Sequence, residues 1–123
     1  MLVKEFYKIN SLVETDNKVN ANITINKDHQ VFDGHFPGNP VTPGVCMMQI
    51  IKELTEEVTG KALFMKSASN IKFMAIINPE NNADLNLQMD VSETEDGYKV
   101  KNSTSFEDTT ALKLTANFVI KND

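Results

Sequence analysis

The chain has 123 residues, 41% of them hydrophobic, and its 17 acidic residues against 12 basic ones give a formal charge of −5. Every basic residue is Lys, and this composition argues against nucleic acid as a partner. The length predicts one compact domain over residues 1–123, and no apolar run approaches the roughly 20 residues that cross a bilayer, so we expect no membrane insertion.

An antiparallel hairpin is predicted at the start of the chain. Apolar and polar residues alternate between Val19 and Ile25, which is the pattern of a half-buried strand. An earlier apolar segment, from Phe6 to Val13, is the expected partner strand, with a turn at residues 15–17. After Lys27 the periodicity is lost and Gly and Pro accumulate up to Thr42, which predicts a loop with a defined path.

One long helix is predicted from about Pro43 to Thr59. Thr42 is the expected N-cap, Pro43 suits the first helical turn, and Gly60 is placed to end the helix. After Gly60 the chain reads as strands. These are predicted at residues 63–77, 85–91, 98–106 and 112–120, with a turn at residues 107–108 between the last two. The order of elements predicts an α+β fold in which a single helix covers one sheet face.

The start of the predicted helix is a candidate site for chemistry. A helix N-terminus presents unpaired backbone N–H groups, and Gly44 lets another group approach closely because it has no side chain. His35 lies just upstream, and a neutral imidazole can remove a proton. Together they suit proton abstraction next to a carbonyl. His29 is expected to be structural or solvated.

The segment around His35 resembles a known family. Its string of residues matches in gaps and order the hotdog-fold (3R)-hydroxyacyl-acyl-carrier-protein dehydratases. The matching residues are Phe32, Gly34, His35, Phe36, Pro37, Gly38, Pro40, Pro43, Gly44 and Val45. A weaker match follows the helix, at Ile71, Lys72, Phe73, Ile77 and Pro79. The resemblance therefore covers most of the chain.

The resemblance implies an architecture and a set of roles. A curved antiparallel sheet would wrap the helix, and two subunits would join their sheets so that two sites and an acyl tunnel form between them. His35 would be the catalytic base, while the N–H of Gly44 holds the thioester carbonyl and that of Val45 assists. Phe36 and Met48 are the expected further contacts to the substrate. No metal and no bound organic cofactor is implied.

One position departs from the family pattern. Fourteen residues after the His the family has a Glu or Asp from the helix, which reaches the other subunit's site and assists departure of the hydroxyl; this chain has Gln49. An amide can hydrogen-bond a hydroxyl but cannot act as a general acid. Glu53 lies one helical turn later, on the same face. Either it carries the displaced acidic function or it is a solvated residue of a charged half-helix.

Other residues have both a functional and an ordinary interpretation. Met47, Met48 and Met74 either line the tunnel or fill the core. Cys46 is either a nucleophile activated by the helix N-terminus or a buried side chain. Lys66 and Lys72 either contact the carrier protein or are plain surface residues. A single cysteine and the absence of a signal-like apolar segment at residues 1–7 predict a protein of the reducing cytoplasm.

The leading interpretation is a protein, at least dimeric, that binds acyl thioesters on the phosphopantetheine of acyl carrier protein. It would dehydrate a 3-hydroxyacyl thioester to the trans-2-enoyl product, with His35, Gln49 and Glu53 at the reacting atoms. Gln49 also favours a first alternative, in which the chain is an impaired subunit that forms a heterodimer with an active homologue. The second alternative is a thioesterase in which Gln49 positions water.

Overall fold

The computed structural model describes residues 5–29, residue 32 and residues 41–121. Within these ranges the chain forms one helix and a sheet of six strands. In chain order the elements are β1 (Tyr7–Thr15), β2 (Lys18–Ile25), α1 (Gly44–Thr59), β3 (Leu63–Phe73), β4 (Asp84–Glu93), β5 (Gly97–Phe106) and β6 (Thr109–Ile120). The loop 33–40, which carries His35 and Phe36, lies outside the described residues.

The sheet is antiparallel throughout, with the strand order β1-β2-β4-β5-β6-β3. Although β3 directly follows α1 in the chain, it pairs with β6, so β1 and β3 are the two edge strands of the described sheet. Because one helix packs on one face of this antiparallel sheet, the predicted α+β hotdog fold is confirmed.

The N-terminal hairpin is confirmed, and an irregularity in β1 explains its sequence pattern. Tyr7, Ile9 and Leu12 lie opposite Ile25, Ile23 and Ala21 of β2, respectively, all three of which are buried. Strict alternation would place Ile9 and Leu12 on opposite faces. A register shift between Ile9 and Ser11 brings both residues to the helix side of the sheet.

The core lies between α1 and one face of the sheet. Alternate residues of β2, β4, β5 and β6 point inward, as the period-2 patterns predict. The helix contributes Cys46, Met47, Ile50, Ile51 and Leu54, all of which are at most 1% exposed. Gly60 ends the helix as predicted, in a left-handed conformation (φ 71°), and donates its N–H to the Glu56 carbonyl at 2.9 Å.

The strand after the helix is shorter than predicted. The prediction extended it to Ile77, whereas β3 ends at Phe73. The N–H groups of Met74 and Ala75 both point to the carbonyl of Ala111, which breaks the regular ladder. Residues 74–77 then turn towards the start of α1, where the carbonyl of Ile77 accepts a hydrogen bond from the Thr42 N–H at 2.9 Å.

Candidate active site

Two backbone donors are free at the start of α1. The N-cap is Pro43, in an extended conformation (φ −64°, ψ 144°), and no side chain of the described residues caps the helix. The carbonyl of Pro43 accepts hydrogen bonds from the N–H groups of Cys46 and Met47 at 3.0 and 3.3 Å. No group within the described ranges accepts from the N–H groups of Gly44 and Val45. These two donors are available to an oxygen of a ligand.

The prediction that Thr42 is the N-cap is wrong. Because Pro43 is still extended, the helix begins one residue later than a Thr42 cap requires. The Thr42 side chain is buried, at 7% exposure, and its Oγ1 atom has no hydrogen-bond partner among the described residues. A buried hydroxyl without a partner lowers the stability of the folded state.

Replacing Thr42 by Val should therefore stabilise the protein. The change removes the unpartnered hydroxyl and keeps the branched shape, so we expect the free energy of unfolding to rise by about 1 kcal/mol. Thr55→Val is the matched control, since Thr55 is fully buried and its hydroxyl donates to the Ile51 carbonyl at 2.8 Å. That control should lose about 1 kcal/mol. Urea unfolding of both variants tests this pair, and a loss of stability in Thr42→Val would contradict it.

An apolar cavity of about 470 Å³ opens beside the two free donors. It lies between the start of α1 and the segment that follows β3, and Gly44, Met47, Phe73 and Met74 are among its walls. The ring of Phe73 lies over Gly44, so a β-carbon at Gly44 would be 2.7 Å from the ring's Cζ atom. The absence of a side chain at Gly44 therefore allows the Phe73 ring to lie directly against the helix terminus.

Some of the predicted substrate contacts line this cavity and others do not. Gly44, Met47 and Met74 line the cavity, although Met47 is also buried in the core. Met48 is not among the cavity residues and packs, half-buried, against the core. The Val45 side chain is 67% exposed and is not among the cavity residues. Only its backbone N–H is therefore placed to contact a substrate, as the resemblance implies.

Gln49 and Glu53 occupy another side of the helix. Gln49 lies five residues after Gly44, which places it about 140° around the axis at about 3.6 residues per turn. Its Nε2 atom donates to Glu53 Oε2 at 3.1 Å, and the hydroxyl of Tyr7 in β1 donates to Glu53 Oε1 at 2.9 Å. The pKa of the Tyr7 hydroxyl is raised, first by burial and then by its hydrogen bond to the Glu53 carboxylate. Tyr7 therefore keeps its proton and remains a donor.

The interpretation of Cys46 as a buried side chain is the one that the structure supports. Cys46 is 1% exposed, and burial raises the pKa of its thiol, which is the opposite of what an activated nucleophile needs. His29 packs edge-on against Phe6, with 5.2 Å between the ring centroids, as expected for a structural residue. Lys66 and Lys72 are exposed on the edge strand β3.

Two further observations concern metals and membranes. Among residues 5–29, 32 and 41–121, no three His, Cys, Asp or Glu side chains are grouped as a metal site would require. In the same ranges no helix has the length and apolar character to cross a bilayer.

Most of the chain matches the model of one protein family. The model of the ApeI-like proteins, described as ApeI dehydratase, matches residues 11–112. The chain belongs to the ApeI-like dehydratase family. This assignment confirms the resemblance to hotdog dehydratases that the segment around His35 indicates.

Relatives of this ApeI-like chain agree with the assignment. The 3-hydroxyacyl-[acyl-carrier-protein] dehydratase FabZ of Lactobacillus helveticus is 31% identical over 106 residues, which are 80% of this chain and 70% of that protein. FabZ of Lactiplantibacillus plantarum is 35% identical over 78 residues, or 58% and 52% of the two chains. A chain of the dehydratase heterocomplex ApeI:P from Xenorhabdus doucetiae has a TM-score of 0.78 at 18% identity, covers 91% of this chain and 96% of its own, and confirms the fold.

Sequence reasoning missed Tyr7 and the way in which Phe73 covers Gly44. Tyr7 was predicted as an ordinary residue of the first strand, yet its hydroxyl reaches a helix residue 46 positions away. Phe73 was predicted as part of a family strand, and only the turn after β3 brings its ring over the helix terminus. No local pattern indicates either contact, because both depend on how α1 lies on the sheet.

Proposed function

We propose that this ApeI-like protein dehydrates 3-hydroxyacyl thioesters. The observation that carries the proposal is the pair of free N–H groups at Gly44 and Val45, which open beside an apolar cavity of about 470 Å³. A thioester carbonyl oxygen bound by these donors is polarised, which makes the protons on the adjacent carbon more acidic. The family assignment supports this reaction class.

The reaction is an elimination. His35 removes a proton from C2 of the acyl chain as general base, and the negative charge that develops on the carbonyl oxygen is stabilised by the N–H of Gly44, assisted by that of Val45. The C3–O bond then breaks, the hydroxyl departs as water, and a trans-2-enoyl thioester remains. The apolar cavity walls next to Gly44 suit the acyl chain, and Phe36 is a further proposed contact.

Gln49 limits the second half of this reaction. It orients the leaving hydroxyl by a hydrogen bond but has no proton to donate to it. Loss of a general acid typically lowers the rate by about 10²–10⁴-fold. We therefore propose a slow dehydratase in which solvent water supplies the proton to the departing hydroxyl.

The proposed assembly is a dimer formed through β3. This edge strand and the segment after it expose large apolar side chains: Ile71, Phe73, Met74 and Ile76 are between 39% and 65% exposed. Unpaired strand edges and clustered apolar side chains favour association with a second sheet. Val45, at the start of α1, is a further exposed apolar side chain. The substrate carrier is proposed to be acyl carrier protein, which the names of the FabZ relatives also contain.

The proposal is tested by incubating the purified protein with a 3-hydroxyacyl carrier-protein substrate and following the products by mass spectrometry. We expect loss of water and an enoyl product, and a rate reduced by about 10²–10⁴-fold in His35→Ala. His29→Gln is the matched control, because His29 packs against Phe6, and it should keep the rate of the unmodified protein. Release of free acid, unaffected by His35→Ala, would instead identify a thioesterase.

A second candidate function is a partner subunit in a heterodimer with an active homologue. It is favoured by one observation, the amide of Gln49 in place of a carboxylate, engaged by Glu53. Such a subunit would supply His35 to a mixed site while the homologue supplies the acid. If the purified protein is inert alone and takes part in dehydration only when mixed with an active homologue, the partner-subunit function would replace the first proposal.

A further inference from the structure

A chain of hydrogen bonds links the first strand to the helix position where the family has its carboxylate. Tyr7 donates to one oxygen of Glu53 at 2.9 Å, and Gln49 donates to the other at 3.1 Å. All three side chains are half-buried. Glu53 thus has a donor on each carboxylate oxygen, one from β1 and one from its own helix.

This arrangement fixes the orientation of the Gln49 amide. An ionised carboxylate only accepts hydrogen bonds, so the Gln49 nitrogen has to face Glu53. The carbonyl oxygen, Oε1, then lies on the side of the amide away from Glu53, where no other described residue donates to it. With Tyr7 on the second oxygen, Glu53 is held from two directions and cannot rotate away without losing one of the bonds.

We propose that Tyr7 and Glu53 are positioning residues, which hold the Gln49 amide so that its Oε1 atom accepts a hydrogen bond from the 3-hydroxyl of the acyl chain bound by the other subunit of the proposed dimer. The inference rests on the proposed function and specifies its substrate. An oriented acceptor binds a 3-hydroxyacyl thioester in preference to a thioester without a hydroxyl. It also favours release of the product, since an enoyl chain has no donor to offer.

Binding measurements test the inference without turnover. In a His35→Ala background, 3-hydroxyoctanoyl-pantetheine and octanoyl-pantetheine are titrated separately by calorimetry. We expect the hydroxylated thioester to bind about three- to tenfold more tightly, as one neutral hydrogen bond allows. Tyr7→Phe and Glu53→Gln should each abolish this preference while the affinity for octanoyl-pantetheine stays the same, and Gln49→Met should behave likewise.

Tyr98→Phe is the matched control for Tyr7→Phe. Tyr98 is also a half-buried strand residue, but its hydroxyl makes no hydrogen bond with the described residues. Its removal should leave the preference for the hydroxylated thioester intact. The side-chain NH₂ signals of Gln49 in ¹⁵N-labelled protein provide a second measurement, and we expect them to shift in Tyr7→Phe and Glu53→Gln but not in Tyr98→Phe.

The outcomes separate the inference from the function on which it rests. Equal affinities for the two thioesters, or a preference that survives Tyr7→Phe and Glu53→Gln, would overturn the inference and leave the thioester site standing. If neither thioester bound, the proposed function would be overturned, and the inferred preference for the hydroxylated thioester would be overturned as well. Unchanged Gln49 signals in both variants would show that Tyr7 and Glu53 do not orient the amide.

Discussion

Gln49→Glu should raise the rate of dehydration by about 10²–10⁴-fold, because it restores a group that can donate a proton to the leaving hydroxyl. The new carboxyl would lie where the Gln49 nitrogen now sits, 3.1 Å from an oxygen of Glu53. Two carboxylates at this separation cannot both be ionised easily, so they share a proton and the pKa of the pair rises. A proton retained at neutral pH is what a general acid requires.

The measurement is a pH–rate profile of enoyl formation. Activity of Gln49→Glu should fall as the pH rises through the pKa of the carboxyl pair, because the acid is then deprotonated. In the double variant Gln49→Glu/Glu53→Gln the new carboxyl faces an amide, so we expect this fall at a lower pH. Gln49→Met, with a side chain of similar length and no proton to donate, should not gain activity. A Gln49→Glu protein that binds the thioester but is no faster would contradict the prediction.

Gly97→Ala should lower the free energy of unfolding more than the substitutions at Thr42, Thr55 and Gly44. Gly97 begins β5 opposite Val119, and an added β-carbon would lie 1.9 Å from the backbone carbonyl oxygen of Phe118. Backbone atoms in a paired strand cannot move aside without breaking the ladder between β5 and β6. We expect the free energy of unfolding to fall by about 3 kcal/mol, as measured by urea denaturation.

Gly44→Ala is the control that separates a steric clash with backbone from one with a side chain. Its added β-carbon would meet the far end of the Phe73 ring, which is 58% exposed and can rotate away. We therefore expect little change in stability but weaker binding of a thioester, because the displaced Phe73 ring changes the wall of the cavity beside the free N–H groups. If both glycine variants lost stability equally, the distinction between backbone and ring would be wrong.

The regular elements were predictable because each depends on local patterns. Alternating residues in β2, β4, β5 and β6 place every second side chain in the core, and the Gly60 stop depends on a backbone conformation that glycine adopts at low cost. The end of β3 was not predictable, since residues 74–77 remain apolar after the strand has ended. They face a cavity and the helix start instead of continuing in the sheet, and apolar composition does not distinguish these environments.

The sequence by itself determined the family, the fold class and the presence of a long helix that begins within a residue of Gly44, because these depend on spacing along the chain. It also identified Gln49 as the departure from the family pattern. Only the tertiary structure decided that Thr42 is buried without a partner, that Phe73 covers Gly44, and that Tyr7 reaches Glu53. These contacts join residues distant in sequence or depend on where one backbone turn ends. Their geometry is set by how the helix lies on the sheet, and no local pattern of residue types encodes it.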